Sequence, residues 1–142
     1  MSDDDWRYGV ETDFMGYLAC ARAAITRMQA AGGHIVFVGS VSAEFKSPGT
    51  STYAATKAGV HAYAEALRKE VAEKNIKVTV IEPGLVGADL QGTPPEEQRE
   101  KIAKEEMLYA EELADTIIFA LTRSARTDVV SLRVEPKLQG VG

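Results

Sequence analysis

Tyr53 and Lys57 stand four residues apart in the run Tyr53-Ala-Ala-Thr-Lys57. On a helix that spacing puts both side chains on one face. An ammonium beside a phenol stabilises the phenolate, so the pair could give or take a proton near neutral pH. A free phenol ionises near pH 10, and poising one near 7 takes about 4 kcal/mol, more than a lone lysine in water supplies. Chance alone gives about 0.3 such pairs in a chain of this composition, so the two residues could also be an ordinary amphipathic pair. Their context adds to the signal. Ser40 lies 13 residues before Tyr53, directly after the apolar run His34-Ile-Val-Phe-Val-Gly39, and Pro83-Gly84 closes the next apolar run. Ser40 could instead merely cap a turn.

These residues need elements to position them. Asp3 to Asp5 open a helical pattern at the end where a helix dipole favours acids. Val10, Phe14, Tyr17, Leu18, Ala21, Ile25 and Met28 continue it as one apolar face, and Gly32-Gly33 stops it. Residues 34–39 lack the alternation of a half-exposed strand and predict one buried on both faces. A Ser, Gly and Pro loop over 40–50 leads into a helix over 51–74, with Ala54, Ala55, Ala58, Ala62 and Ala66 giving it a smooth surface. Lys77–Ile81 is a second strand ended by Pro83-Gly84. Helices over 94–106 and 110–122 and a strand over 128–134 follow. Alternation of this kind means right-handed crossovers and a parallel sheet. The expectation is an α/β fold, a single domain over 1–142, with three parallel strands at about 34–39, 77–82 and 128–134 and four to five helices. Ser40, Tyr53 and Pro83-Gly84 then meet at the carboxyl ends of the strands, where parallel sheets bind ligands.

Composition narrows the function. The 142 residues carry 16 basic and 21 acidic side chains, a net charge of −5, which argues against a nucleic-acid partner. No apolar run approaches the roughly 18 residues that span a bilayer, and Met1 to Asp5 does not read as a signal peptide, so the expected location is cytoplasmic. Cys20 is the one cysteine and is expected to pack as a small apolar side chain. His34 and His61, the only histidines, are assigned to a strand end and a helix surface rather than to a metal.

The string Gly33-His-Ile-Val-Phe-Val-Gly-Ser40, then Tyr53-x-x-x-Lys57-Ala-Gly, then Ile81-Glu-Pro-Gly84, resembles the C-terminal half of a short-chain dehydrogenase/reductase over residues 6 to about 136. The resemblance implies a partial Rossmann-like fold and an NAD- or NADP-dependent carbonyl/alcohol oxidoreductase. By resemblance, Ser40 holds the substrate oxygen, Tyr53 passes the proton, and Lys57 tunes Tyr53 and grips the nicotinamide ribose. Pro83, Gly84 and Val86 fall where the family contacts the cofactor. The family's catalytic asparagine aligns with Asp13, which could be either a modified catalytic residue or a helix-surface charge, and its carboxamide-contacting threonine with Ala88. The family's opening strand and glycine-rich turn have no counterpart here, since no G-x-G-x-x-G occurs. The resemblance therefore implies a substrate half that binds the cofactor weakly or not at all by itself, or a non-catalytic remnant serving as an oligomerisation module. A three-stranded parallel sheet with an open edge also predicts a homo-oligomer, a dimer or higher, through the first two long helices or the edge strand.

Overall fold

The computed structural model describes residues 3–89 and 92–139. The chain forms α1 (Asp3–Val10), a π-helical turn (Glu11–Met15), α2 (Gly16–Met28), β1 (Gly33–Val38), a 3-10 turn (Val41–Ala43), and α3 (Ser51–Val71) with a 3-10 extension (Ala72–Lys74). Then come β2 (Ile76–Pro83), α4 (Pro95–Ala103), α5 (Ala110–Leu121) and β3 (Ser131–Val134). The strands make one parallel sheet in the order β1-β2-β3, with Gly33 opposite Ile76 and Val38 opposite Ile81.

Alternation along the strands builds two apolar layers. Ile35, Phe37, Ile76, Val78 and Val80 face α2 and α3, packing on Ala21, Val60, Ala64, Leu67 and Val71. Thr79 and Ile81 point the opposite way and are fully buried, because α5 lies across the strands on that side. Both faces of the parallel sheet are thus covered at its centre, as such sheets require. Burying a side chain the size of Ile81 stabilises the fold by about 1.5–3 kcal/mol.

The sequence-based outline holds with four differences. β1 is not buried on both faces: only Phe37 is buried and its other residues are half-buried, because β1 is an edge strand of the sheet and Ile35, Val36 and Val38 line an open groove. The first helix is interrupted: the Gly16 amide bonds back to the Glu11 carbonyl, five residues earlier, and the extra residue turns the helix phase between Val10 and Tyr17. The third strand begins at Ser131 rather than Asp128: pairing with β2 starts at Val80 opposite Ser131, with the Val80 amide on the Val130 carbonyl at 3.1 Å, and the Thr79 hydroxyl bonds the Val129 carbonyl just before it. The helix begun at Pro95 ends at Ala103, and Glu105 takes a left-handed φ of 60° to reverse the chain. Gly32 ends the α2 region as expected, with a φ of 75° and its amide on the Met28 carbonyl at 2.8 Å. A Cβ on it would sit 2.6 Å from the Asn75 carbonyl oxygen, so this close approach requires glycine.

The Gly33 and Gly39 amides donate to the Asn75 and Ile81 carbonyls at 3.1 and 2.7 Å. Odd-numbered residues of β1 therefore turn their peptide groups to β2, and His34, Val36 and Val38 turn theirs to the sheet edge. A groove of about 460 Å³ runs along that edge between β1 and α2, lined by Tyr17, Ala24, Ile35, Val36 and Val38, and by Cys20, which is exposed rather than packed in the core.

Candidate active site

Ser40 follows β1 by two residues and caps the 3-10 turn. Its backbone is extended, its Oγ accepts the Ser42 amide at 3.1 Å and its carbonyl accepts the Ala43 amide at 3.1 Å. The hydroxyl thus spends a lone pair on the turn and keeps its proton for an outside acceptor. Ser40 is 6% exposed, while Tyr53, in the first turn of α3, is 42% exposed.

Lys57, one turn further along α3, is only 7% exposed. Its Nζ donates to the Val38 carbonyl at 3.1 Å and to the Tyr17 hydroxyl at 3.4 Å. The ammonium lies 5.0 Å from the Tyr17 ring centroid and 5.7 Å from that of Tyr53, within cation–π range of both. The structure brings Lys57 and Tyr53 together at the end of the strand that delivers Ser40. Tyr17 itself donates to the Val38 carbonyl at 2.9 Å. Burial, and behind it the negative charge of Asp13, push the Tyr17 phenol above its ordinary value, so Tyr17 stays neutral and acts as a hydrogen-bonding partner. Asp13 lies half-buried in the π-helical turn.

The loop after Ser40 is strapped down from β3. Arg133 bonds the carboxylates of Glu44 and Glu82, the latter at 3.2 Å, and stands 5.2 Å from the Phe45 ring. The hydrogen bond from Arg133 holds the Glu44 carboxyl below the usual range. Such exposed pairs add little stability singly; together they fix where the loop runs. From beneath, the Ser40 amide donates to His61 Nε2 at 3.3 Å. Burial lowers the His61 pKa, against the opposing pull of Glu82 and Glu44.

Pro83 is buried at the end of β2, and Gly84 extends the ladder with its amide on the Val134 carbonyl at 2.8 Å. The Cα of Gly84 faces the Gln139 side chain, whose Oε1 accepts the Leu85 amide at 2.7 Å. Val86 forms a parallel bridge with Leu108. Ala88 is exposed, and its carbonyl accepts from Gln98. Among the described residues no group of His, Cys, Asp or Glu could hold a metal.

Two participants escaped the sequence reading. In the sequence Tyr17 reads only as part of an apolar helix face, and nothing in its spacing ties it to Lys57. His61 reads as a helix-surface residue, although Tyr53, Lys57 and His61 form an unbroken i, i+4, i+8 stripe that flags it.

The sequence profile described as short chain dehydrogenase matches residues 1–99, which include Ser40, Tyr53, Lys57 and Gly84. The chain belongs to the short chain dehydrogenase family. An uncharacterized oxidoreductase of Staphylococcus aureus strain MRSA252 is 31% identical over 134 residues, covering 94% of this chain and 55% of the relative. One from Staphylococcus haemolyticus is 34% identical over the same coverage. Among solved structures, the closed form of serine dehydrogenase complexed with NADP+ superposes with a TM-score of 0.85 at 26% identity, over 99% of this chain and 59% of the other. Acetoin dehydrogenase from Enterobacter cloacae gives 0.78 at 26% identity, over 94% and 55%. This short chain dehydrogenase family member spans about half the length of the curated relatives it matches. Its three-stranded parallel sheet is a partial Rossmann-like fold.

Proposed function

We propose that this chain carries the catalytic half of an NAD- or NADP-dependent oxidoreductase that interconverts a small carbonyl compound and its alcohol. The observation that carries the reading is the buried Lys57 ammonium set 5.7 Å from the Tyr53 ring, at the end of the strand leading to Ser40. An ammonium has three donors; two go to the Val38 carbonyl and the Tyr17 hydroxyl, and the third suits a ribose hydroxyl. These residues fit the nicotinamide end of the cofactor, and no glycine-rich phosphate cradle occurs in the 142 residues.

A bound NAD or NADP would supply or accept the hydride at the substrate carbon. Ser40 donates its hydroxyl proton in a hydrogen bond to the substrate oxygen and fixes its position. Tyr53 delivers a proton to that oxygen in the reducing direction. The resulting phenolate is stabilised by Lys57 and is reprotonated from solvent, which its exposure allows. In the oxidising direction the same phenolate takes the proton back. Pro83, Gly84 and Val86 would flank the carboxamide. The same reading makes the protein a cytoplasmic homo-oligomer. Its support is that among the described residues no helix is long and apolar enough to cross a membrane, and that α5 leaves Ile118, Phe119 and Leu121 about half exposed.

A second reading, a remnant that binds no dinucleotide, is favoured by Gln139 lying against Gly84. NADH and NADPH fluorescence titrations separate the two. The first reading expects no saturation by this chain alone and saturable enhancement once the glycine-rich half of a family member is fused ahead of it. Absence of binding by a folded fusion at millimolar cofactor overturns it and leaves the second.

A further inference from the structure

The two histidines are locked in opposite tautomers. The Ser40 amide can only donate, so His61 Nε2 must offer a lone pair, which makes His61 neutral with its proton on Nδ1. Thr79 spends its hydroxyl proton on the Val129 carbonyl, so at 2.7 Å it must accept from His34, which carries its proton on Nε2. His34 Nδ1 is buried and finds no hydrogen-bond partner among the described residues.

The His61 ring is pressed against the peptide it holds. A Cβ on Gly39 would fall 2.7 Å from His61 Cδ2, so the glycine admits the ring to the end of β1. All of Ser40's polar atoms are then committed in one direction: the amide to His61, the carbonyl to Ala43, and an Oγ lone pair to Ser42. His61 is the only one of these anchors that can titrate.

We propose that His61 is a positioning residue for Ser40: the neutral ring clamps the Ser40 amide and so aims its hydroxyl, and protonation of the ring releases the clamp. The inference rests on the reading of Ser40 as the substrate-oxygen donor. A protonated ring would set Nε2–H against the Ser40 N–H, two donors face to face, and the bond is lost. The charged groups around His61 are Glu82 from β2, Glu44 from the loop beyond the 3-10 turn, Arg133 from β3 and Lys57 from its own helix. Glu65 and Arg68 join His61, Glu44 and Glu82 in lining one cavity between α3 and the strands. Burial outweighs the carboxylates and keeps the ring neutral at pH 7. The clamp is closed there and opens only below the ordinary histidine range.

Long-range 1H–15N NMR on this 142-residue chain tests it without cofactor or turnover. At pH 7.5 the His61 ring is expected as the Nδ1–H tautomer, with His34 as the Nε2–H internal reference. On acidification the Ser40 amide is expected to shift with the same midpoint as the His61 ring protons. His61→Gln keeps an acceptor but cannot titrate; it should leave the Ser40 amide near its wild-type position and erase the pH step. His61→Leu should displace that resonance and raise its hydrogen exchange at least tenfold. An Nε2–H tautomer at His61, or a Ser40 amide indifferent to the His61 titration, overturns the proposal. Should the leucine variant not fold, the tautomer and the glutamine variant still decide. A failed clamp leaves the Tyr53 and Lys57 chemistry untouched, and failed cofactor binding by the fusion leaves the NMR result standing.

Discussion

Lys57→Met should separate function from stability. Lys57 is 7% exposed, and among the described residues no ion pair includes it. Taking an ammonium out of water costs several kcal/mol. Two charge-assisted hydrogen bonds return about 1.5–3 kcal/mol each, and the flanking Tyr17 and Tyr53 rings about 0.5–1 kcal/mol each, so the buried charge is close to break-even. Methionine fills a similar volume with apolar atoms. It orphans neither acceptor, because Tyr17 already bonds the Val38 carbonyl at 2.9 Å. The expected change in unfolding free energy lies within about 1 kcal/mol of zero or on the stabilising side, against about 2–5 kcal/mol lost when an ordinary buried aliphatic is truncated. Urea denaturation followed by circular dichroism measures it, with an unchanged m-value certifying the comparison. A loss above about 2 kcal/mol would refute the reasoning and make Lys57 a structural pin.

Three further outcomes follow from the packing and the charges. Ile81→Ala, at a fully buried position, should lower the unfolding free energy by about 2–5 kcal/mol; a loss under 1 kcal/mol in urea would mean the α5 layer is not packed as described. Gly32→Ala and Gly49→Ala both force a side chain into left-handed backbone, at φ of 75° and 85°, but only at Gly32 would the Cβ meet neighbours; thermal melts should show Gly32→Ala clearly the worse, and equal losses contradict the close approach to Asn75. Burial lowers the pKa of both His34 and His61 in the folded state. The unfolded chain then binds more protons in mild acid, so their contribution is full above the unfolded value near 6.5 and is lost as pH falls through the lower folded values. Urea midpoints should drop between pH 7 and pH 5, and a double His34→Gln, His61→Gln variant should flatten that slope; an equal slope in the variant contradicts it.

Much of this was legible in residue order because it is local. The continuous apolar run before Ser40, rich in β-branched residues, the alanine-rich stretch after Tyr53 and the Pro83-Gly84 stop each announce an element found in the fold. What could not be read depends on neighbours distant in the chain. Where β3 begins follows from its backbone pairing with β2, which starts at Val80 opposite Ser131. The π-helical turn before Gly16 sets the phase that aims Tyr17 at the end of β1, and periodicity alone cannot distinguish it from a continuous helix. The contact between His61 and Ser40 exists only because α3 packs against the strand end. The Tyr53 and Lys57 pairing was legible for the opposite reason: four residues on one helix fix it.

The most direct test is single-turnover hydride transfer in the fusion with a family member's glycine-rich half, comparing Tyr53→Phe with the parent. General acid–base catalysis contributes about 10²–10⁴-fold, and a loss of that size with unchanged cofactor affinity is expected. A Tyr53→Phe fusion that transfers hydride at the parental rate would contradict the assignment of proton transfer to Tyr53.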